Sequence, residues 1–232
     1  MARRPLTLSE SAENYLKAIY RLSIGGEFVK PRILIELLSY APSTVTLTLQ
    51  RLAKRGYIEY VKYKGVRLTE EGCRIAARIL RAHRVFEVFL YSKLGMDYVK
   101  VHSEACRAEH ALSEETVQRL EEFLGHPKRC PHGNPIPPHG AILEREIPLC
   151  MAKPGEYIVS RIAYETPTIL LTTYRMGIIP GARMTLVSVD SRHRYVLLRT
   201  LKGEHTLISS IAKIVSVVPK TTSYKPHREK EI

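Results

Sequence analysis

Apolar residues recur at helical spacing at Ala12, Leu16, Ile19 and Tyr20. They recur again at Ile33, Ile35, Leu37 and Leu38, behind a Pro31 suited to a helix's first turn. A third helix opens at Pro42 and Ser43, carries Val45, Leu49 and Leu52 as its apolar stripe, and stops at Gly56. Its other face is polar and narrow: Ser43, Thr44, Thr46, Leu47, Thr48 and Arg51. The period then shortens, and residues 57–61 and 66–68 read as two strands joined around Tyr63-Lys64-Gly65. Thr69 caps a further helix whose first turn holds Glu70 and Glu71, favourable at the positive end of its dipole. Leu112, Val117, Leu120 and Leu124 form another helical stripe that ends at Gly125. Beyond residue 154 the pattern is mainly that of strands.

Two short helices, a polar-faced third and a basic hairpin follow one another in the order of a winged helix-turn-helix. A narrow polar helix fits the major groove, while Lys62, Lys64 and Arg67 on the hairpin reach flanking phosphates. Pro42, Ser43, Thr44, Thr46, Leu47, Thr48 and Arg51 form the candidate reading surface, with Thr44, Thr46 and Leu47 expected to set sequence preference. Threonine-rich helical faces are uncommon because β-branched side chains lose rotamer freedom there, so this one calls for a reason other than helix formation.

Charge agrees with that reading. The 232 residues carry 36 Lys+Arg against 23 Asp+Glu, a net charge of +13, which makes a polyanion such as double-stranded DNA the first partner to consider and leaves an acidic membrane surface open. No apolar run approaches the roughly 18–20 residues of a membrane span. The opening Met1-Ala-Arg-Arg-Pro-Leu has no apolar segment behind it, so no signal peptide is expected. Four widely spaced cysteines, Cys73, Cys106, Cys130 and Cys150, fit a reducing cytoplasm, where cysteine packs or binds metal. Asn occurs only at 14 and 134 and Gln only at 50 and 118, a depletion of thermolabile amides that hot habitats favour. Seven of the fourteen prolines fall between residues 127 and 154, where they forbid continuous helix. The expected plan is therefore a winged helix over residues 1–69, a helical region over 70–126, a proline-rich linker over 127–150, a β-domain over 151–219 and a polar tail over 220–232.

The helical middle carries the sharpest chemistry. His83 and Glu87 are four apart and share a helix face. His102, Cys106, Glu109 and His110 fall within about 100° of arc on one predicted helix. Imidazole, thiolate and carboxylate together suit Fe²⁺, Co²⁺, Ni²⁺ or Zn²⁺ better than Mg²⁺ or Ca²⁺.

The chain resembles the diphtheria-toxin-repressor (iron-dependent repressor) family. The resemblance rests on Glu13-Asn-Tyr-Leu-Lys-Ala-Ile-Tyr20, Pro42-Ser-Thr-Val-Thr, Leu68-Thr-Glu-Glu-Gly72, His83-Arg-Val-Phe-Glu87, His102-Ser-Glu-Ala-Cys-Arg-Ala-Glu-His110 and Gly133-Asn-Pro-Ile-Pro137. It covers nearly the whole chain. It implies an α+β architecture: an N-terminal winged helix-turn-helix, a helical metal-binding and dimerisation domain, and a C-terminal SH3-like β-barrel around residues 183–189 and 195–200. It also implies a cytoplasmic homodimer that binds operator DNA when metal is bound, most simply a repressor of metal-uptake genes.

By matching position, the primary metal site is Asn14, Cys106, Glu109 and His110, and the ancillary site is His83, Glu87 and His102. Relatives place Met or Asp where this chain has Asn14. They complete the ancillary site with Glu and Gln at positions that align here with Thr166 and Ile169, beside Glu165. The manganese-type subgroup has carboxylates where this chain has Cys106 and Lys17, so Fe²⁺ is favoured, with Mn²⁺ or Zn²⁺ as alternatives. Cys130 and His132, with His139 and Cys150 near, match no tight zinc knuckle and stay outside the expected set. A metalloenzyme is not expected, since no open coordination position or general base is identifiable. The alternative is a regulator that ignores metal, with Cys106 as a thiol sensor.

Overall fold

The computed structural model describes residues 8–23, 26–138, 145–190, 192 and 194–220. His139 and the tail beyond residue 220 lie outside them. The chain forms two compact units, Met1–Ala82 and His83–Ile232.

In the first unit, α1 (Glu10–Leu22), α2 (Pro31–Leu38) and α3 (Pro42–Lys54) precede β1 (Ile58–Val61) and β2 (Gly65–Leu68). The predicted stripes face inward. Tyr15, Leu16 and Ile19 pack with Leu34, Val45, Leu49, Leu52, Ile58 and Val66 into one core. The hairpin is antiparallel, Ile58 opposite Leu68 and Val61 opposite Gly65. Val29 pairs with Val66 through bonds of 2.7 and 2.9 Å and anchors the hairpin to the approach to α2. That approach demands glycine: at Gly65 (φ +120°) an added Cβ would stand 2.3 Å from the Val29 carbonyl oxygen. As expected, Thr69 caps α4 (Glu70–Ser92), accepting from Gly72 N at 3.2 Å while its own hydroxyl donates to Gly56 O at 2.7 Å. Glu13 of α1 accepts from Arg78 of α4 at 3.1 Å.

The second unit begins at His83 within α4 and adds α5 (Lys100–Ala108) and α6 (Glu114–Phe123). Ser113 caps α6, accepting from Thr116 N at 3.1 Å. Val117 is buried, while Leu112, Leu120 and Leu124 are half-buried. Residues 127–138 form a largely buried loop held by its own main chain. A β-rich part follows: six antiparallel strands in the order β3 (Ile147–Pro148), β8 (Val215–Pro219), β4 (Gly155–Ile162), β5 (Arg183–Asp190), β6 (Tyr195–Thr200) and β7 (Gly203–Ile208). Bulges between Val159 and Arg161 and between Leu186 and Ser188 bend the sheet. It wraps a core of Val159, Ile162, Leu186, Val196, Leu198 and Val217, with Leu170 of α7 (Pro167–Arg175) against it. A short α8 (Ser209–Ala212) completes the unit.

Candidate metal centre and DNA-facing surface

Three segments of the second unit and one residue before α7 bring their donors together. Helix α4 presents His83 and Glu87, one turn apart. Helix α5 presents His102 and Cys106. The sequence pattern places Glu109 and His110 on the same helix, but α5 ends at Ala108. Ala111 N and Leu112 N both bond back to Ala108 O, at 2.9 and 3.2 Å, and tighten the chain into a turn. Glu109 remains bonded to Ala105 O at 3.0 Å, so its side chain still points along the helical stripe. The loop after α6 supplies Cys130, His132 and Asn134, and Glu165 sits two residues before α7.

Among the described residues the ligand atoms gather into two sets, each with all its atoms within 4.8 Å of one another. One is His83, His102 and Cys106; the other is Glu87, His102, His132 and Glu165. In the first, His102 Nε2 lies 3.6 Å from Cys106 Sγ, and His83 Nδ1 lies 2.7 Å from Glu109 Oε2. In the second, Glu87 Oε1 lies 3.0 Å from His102 Nδ1 and 3.2 Å from His132 Nδ1. Glu165 Oε1 lies 3.5 Å from His132 Nδ1 and 3.7 Å from Cys130 Sγ. His83 Nε2 reaches Glu87 Oε1 at 3.0 Å and His102 Nδ1 at 3.1 Å, joining the sets. His110 Nε2 stands 3.2 Å from Glu109 Oε1.

The electrostatics are those of a buried, self-neutralising cluster. Burial penalises a charge on His83 and His132, but the Glu87 charge together with hydrogen bonds to neighbouring thiols and carboxylates outweighs it, and both imidazoles are held well above their ordinary range. Burial likewise opposes ionisation of Glu87, yet His83, His132 and His102 hold it well below the usual carboxylate range. Burial works against the Cys106 thiolate too, and hydrogen bonds from His102 and His83 overcome it, pushing the thiol down to about 6. Cys130 behaves oppositely, with burial pushing its thiol up to about 11. One ring can thus meet a ready thiolate on one side and ionised carboxylates on the other, the donors a divalent transition ion needs. Glu87 Oε2 is buried and accepts no hydrogen bond, an orphaned anionic atom that a cation fits.

Surrounding groups aim the donors. His132 Nε2 bonds the Tyr98 carbonyl at 3.0 Å, which leaves Nδ1 facing the carboxylates. Asn134 Nδ2 donates to Glu165 Oε1 at 2.6 Å and to Ile162 O at 2.8 Å. Gly133 (φ +82°) presses the loop onto β4, where a Cβ would meet Ser160 O at 2.1 Å.

Several expected residues fall elsewhere. Thr166 caps α7, accepting from Ile169 N at 3.2 Å, and Ile169 packs against the apolar core, so neither joins the cluster. Glu165, one position earlier, does. Cys130 and His132, set aside on spacing, lie against Glu87 and Glu165, whereas Cys150 packs on the β-rich core. Asn14 sits half-buried inside α1, which Ser9 caps by accepting from Ala12 N at 3.3 Å. The cap role is therefore not Asn14's.

On the first unit, Pro42, Ser43, Thr44, Thr46, Leu47 and Arg51 are exposed along α3, and Thr48 is half-buried. Leu47, 53% exposed, occupies the middle of that face. The Thr46 hydroxyl donates to Pro42 O at 2.9 Å and is spent within the helix. Lys62 and Lys64 are exposed on the hairpin with Tyr63, 84% exposed, between them. Arg67 is paired with Glu59 at 2.6 Å and covers the Phe28 ring, so its charge is already partly answered. Lys30 adds a cation beside them, its Nζ donating to Tyr63 O at 2.5 Å.

Comparison with known proteins gives this architecture its relatives. Residues 7–66 match the family described as "Iron dependent repressor, N-terminal DNA binding domain". Residues 69–138 match "Iron dependent repressor, metal binding and dimerisation domain". An HTH-type transcriptional regulator of Methanocaldococcus jannaschii is 39% identical over 118 residues, 50% of this chain and 94% of that one. The diphtheria toxin repressor of Corynebacterium glutamicum is 37% identical over 135 residues, 58% of this chain and 59% of that protein's length. The crystal structure of T. acidophilum IdeR superposes with a TM-score of 0.75 at 30% identity, covering 92% of this chain and 99% of that one. Both matching family descriptions are of an iron-dependent repressor, which sets the metalloenzyme reading aside. The chain belongs to the iron-dependent repressor family of metal-dependent, DNA-binding regulators.

Proposed function

We propose that this protein is a metal-activated transcriptional repressor that binds operator DNA as a homodimer and governs metal-uptake genes. The single observation that carries the reading is the gathering of buried His83, Glu87, His102, His132 and Glu165 with half-buried Cys106 into two donor sets, one of nitrogen and sulfur and one of nitrogen and oxygen. Buried charges of this density are expensive unless they pair or coordinate a cation. A divalent ion supplies the positive charge that protonated imidazoles provide in its absence, and it fixes donor geometry where a proton does not.

Cys106, Glu109 and His110, with Asn14, form the proposed activating site. His83, Glu87 and His102, extended by His132 and Glu165, form the proposed ancillary one. Fe²⁺ is the favoured ion because Cys106 and the imidazoles are softer donors than carboxylates. The absence of a carboxylate at Lys17 points the same way. Ser43, Thr44, Leu47 and Arg51 face the groove, and Lys62 and Lys64 the phosphates.

Glu109→Gln tests the reading, because it neutralises one donor while keeping its shape. Metal-stimulated binding to an operator, followed by fluorescence anisotropy with Fe²⁺ or Mn²⁺, is expected to disappear in this variant. Stimulation equal to that of the parent protein would refute the assignment.

A further inference from the structure

The tip of the hairpin presents an aromatic side chain that the core does not use. Tyr63 is 84% exposed and its φ is +65°, in the left-handed region that bulky residues avoid and glycine occupies freely. Backbone outliers of this kind collect at ligand-contacting positions. The hairpin is braced up to this residue. Val29 and Val66 exchange bonds of 2.7 and 2.9 Å, Lys64 N bonds Val61 O at 3.2 Å, and Lys30 Nζ donates to Tyr63 O at 2.5 Å. Lys62 Nζ stands 5.0 Å from the Tyr63 ring centroid and steadies the ring.

Between the hairpin and α3 runs an open groove of about 330 Å³, lined by Lys30, Gln50, Tyr60, Lys62 and Tyr63. A single sugar-phosphate strand separates the major groove of B-DNA from the next minor groove. A duplex that receives α3 in its major groove would lay that strand along this channel, beside Lys30 and Lys62, with the hairpin tip on its far side. There A·T and T·A pairs present only acceptors, adenine N3 and thymine O2, whereas G·C adds the guanine amino group. A tyrosine hydroxyl donates to either acceptor, and the amino group occupies the floor that the ring would approach. We propose that Tyr63 reads the minor groove beside the bases that α3 contacts, selecting A·T or T·A pairs over G·C without distinguishing the first two. Lys62 and Lys64 meet the phosphates that border the same groove. The proposal rests on the reading of α3 as the major-groove helix, and adds a second source of operator preference that is independent of it.

The test begins with a site selected from random DNA by the full chain with Fe²⁺ or Mn²⁺. Each pair flanking the α3-read bases is then changed in turn to A·T, T·A, G·C or inosine·cytosine, and affinity is measured by fluorescence anisotropy. Inosine lacks the guanine amino group but keeps the major-groove edge of guanine. At the position Tyr63 reads, A·T, T·A and inosine·cytosine are expected to bind alike and G·C about tenfold more weakly. Tyr63→Ala should bind all four alike, with the salt slope and the preferences at the α3-read bases unchanged, since no charge is lost. Tyr63→Gly guards against misfolding: it removes the ring, suits the left-handed backbone, and should lose the same preference with a Tm no lower than the parent's. Inosine·cytosine behaving as G·C, or a Tyr63 variant that keeps the parent's preference, would overturn the proposal and leave the major-groove reading intact. No sequence enriched by the metal-loaded chain would overturn both.

Discussion

The amide of Asn134 reaches across to β4 and the start of α7, donating to Glu165 Oε1 at 2.6 Å and to Ile162 O at 2.8 Å. A chain with only two asparagines places one where its amide holds a carboxylate with one bond and is itself anchored to β4 by the other. Asn134→Ala is expected to lower affinity for the ion beside Glu165 by about 10- to 100-fold, the usual effect of removing such a support. Mn²⁺ binding followed by paramagnetic resonance measures it, with circular dichroism to show that the fold survives. Parent-like affinity in a folded variant would mean that Glu165 needs no help to face the site.

The exposed face of α3 separates sequence reading from simple adhesion. Leu47 offers a methyl surface to the groove, the kind of contact that recognises thymine, whereas the Thr46 hydroxyl is occupied by Pro42 O. Leu47→Ala is expected to change the preferred site in a selection from random DNA, and Thr46→Ala to leave it unchanged. Lys64→Ala should instead weaken all sequences alike and flatten the salt slope by about one unit. A change of preferred sequence in the Lys64 variant would contradict this division.

In the metal-free chain, ionised Glu87 stabilises the fold above about pH 4.5, and the contribution is lost as pH falls through its lowered value. Protonated His83 and His132 contribute fully below about pH 6.5, and lose it as pH rises through their raised values. Thermal stability of the chelated protein is therefore expected to be greatest between these limits and to decline toward alkaline pH. Saturation with metal should flatten the alkaline decline, since coordinated imidazoles carry no proton on the ligating nitrogen. A Tm that climbs steadily above about pH 6.5 without metal would contradict the charge assignments.

Asn14 bears on the choice of ion. Replacing its neutral amide by the carboxylate of Asn14→Asp should raise metal affinity and favour the harder Mn²⁺, whereas Asn14→Ala should lower it without unfolding the chain. Isothermal titration with Fe²⁺ and Mn²⁺ distinguishes the cases. Equal affinity in all three proteins would place position 14 outside the coordination sphere.

Local periodicity sufficed for the winged helix: the stripe through Val45, Leu49 and Leu52, the Thr69 cap and the hairpin all depend on neighbours within a few positions. His83 with Glu87, and His102 with Cys106, were legible for the same reason, since one helical turn separates each pair. Glu165 and His132 were not, because they meet Glu87 only through the packing of a loop and the β-rich part on α4 and α5. One signal was nevertheless present. Thr166-Pro167 is a cap followed by a first-turn proline, which commits Thr166 to α7 and leaves Glu165 just outside the helix, on the side of the cluster. The end of α5 at Ala108 had no such marker.

The loop that carries Cys130, His132 and Asn134 takes its shape from the backbone. Cys130 N bonds Asn134 O at 2.9 Å, Gly133 N bonds Cys130 O at 2.8 Å, and Ile136 N bonds Lys128 O at 2.9 Å. Ile162 N bonds His132 O at 2.9 Å and moors the loop to β4. The side chains at 130, 132 and 134 thus ride on a frame set by the main chain, to which His132 and Asn134 add bonds to Tyr98 O and Ile162 O. Substitutions there can retune the chemistry without refolding the protein, an interchangeable ligand cassette through which a lineage could change the ion it answers to while keeping the same repressor.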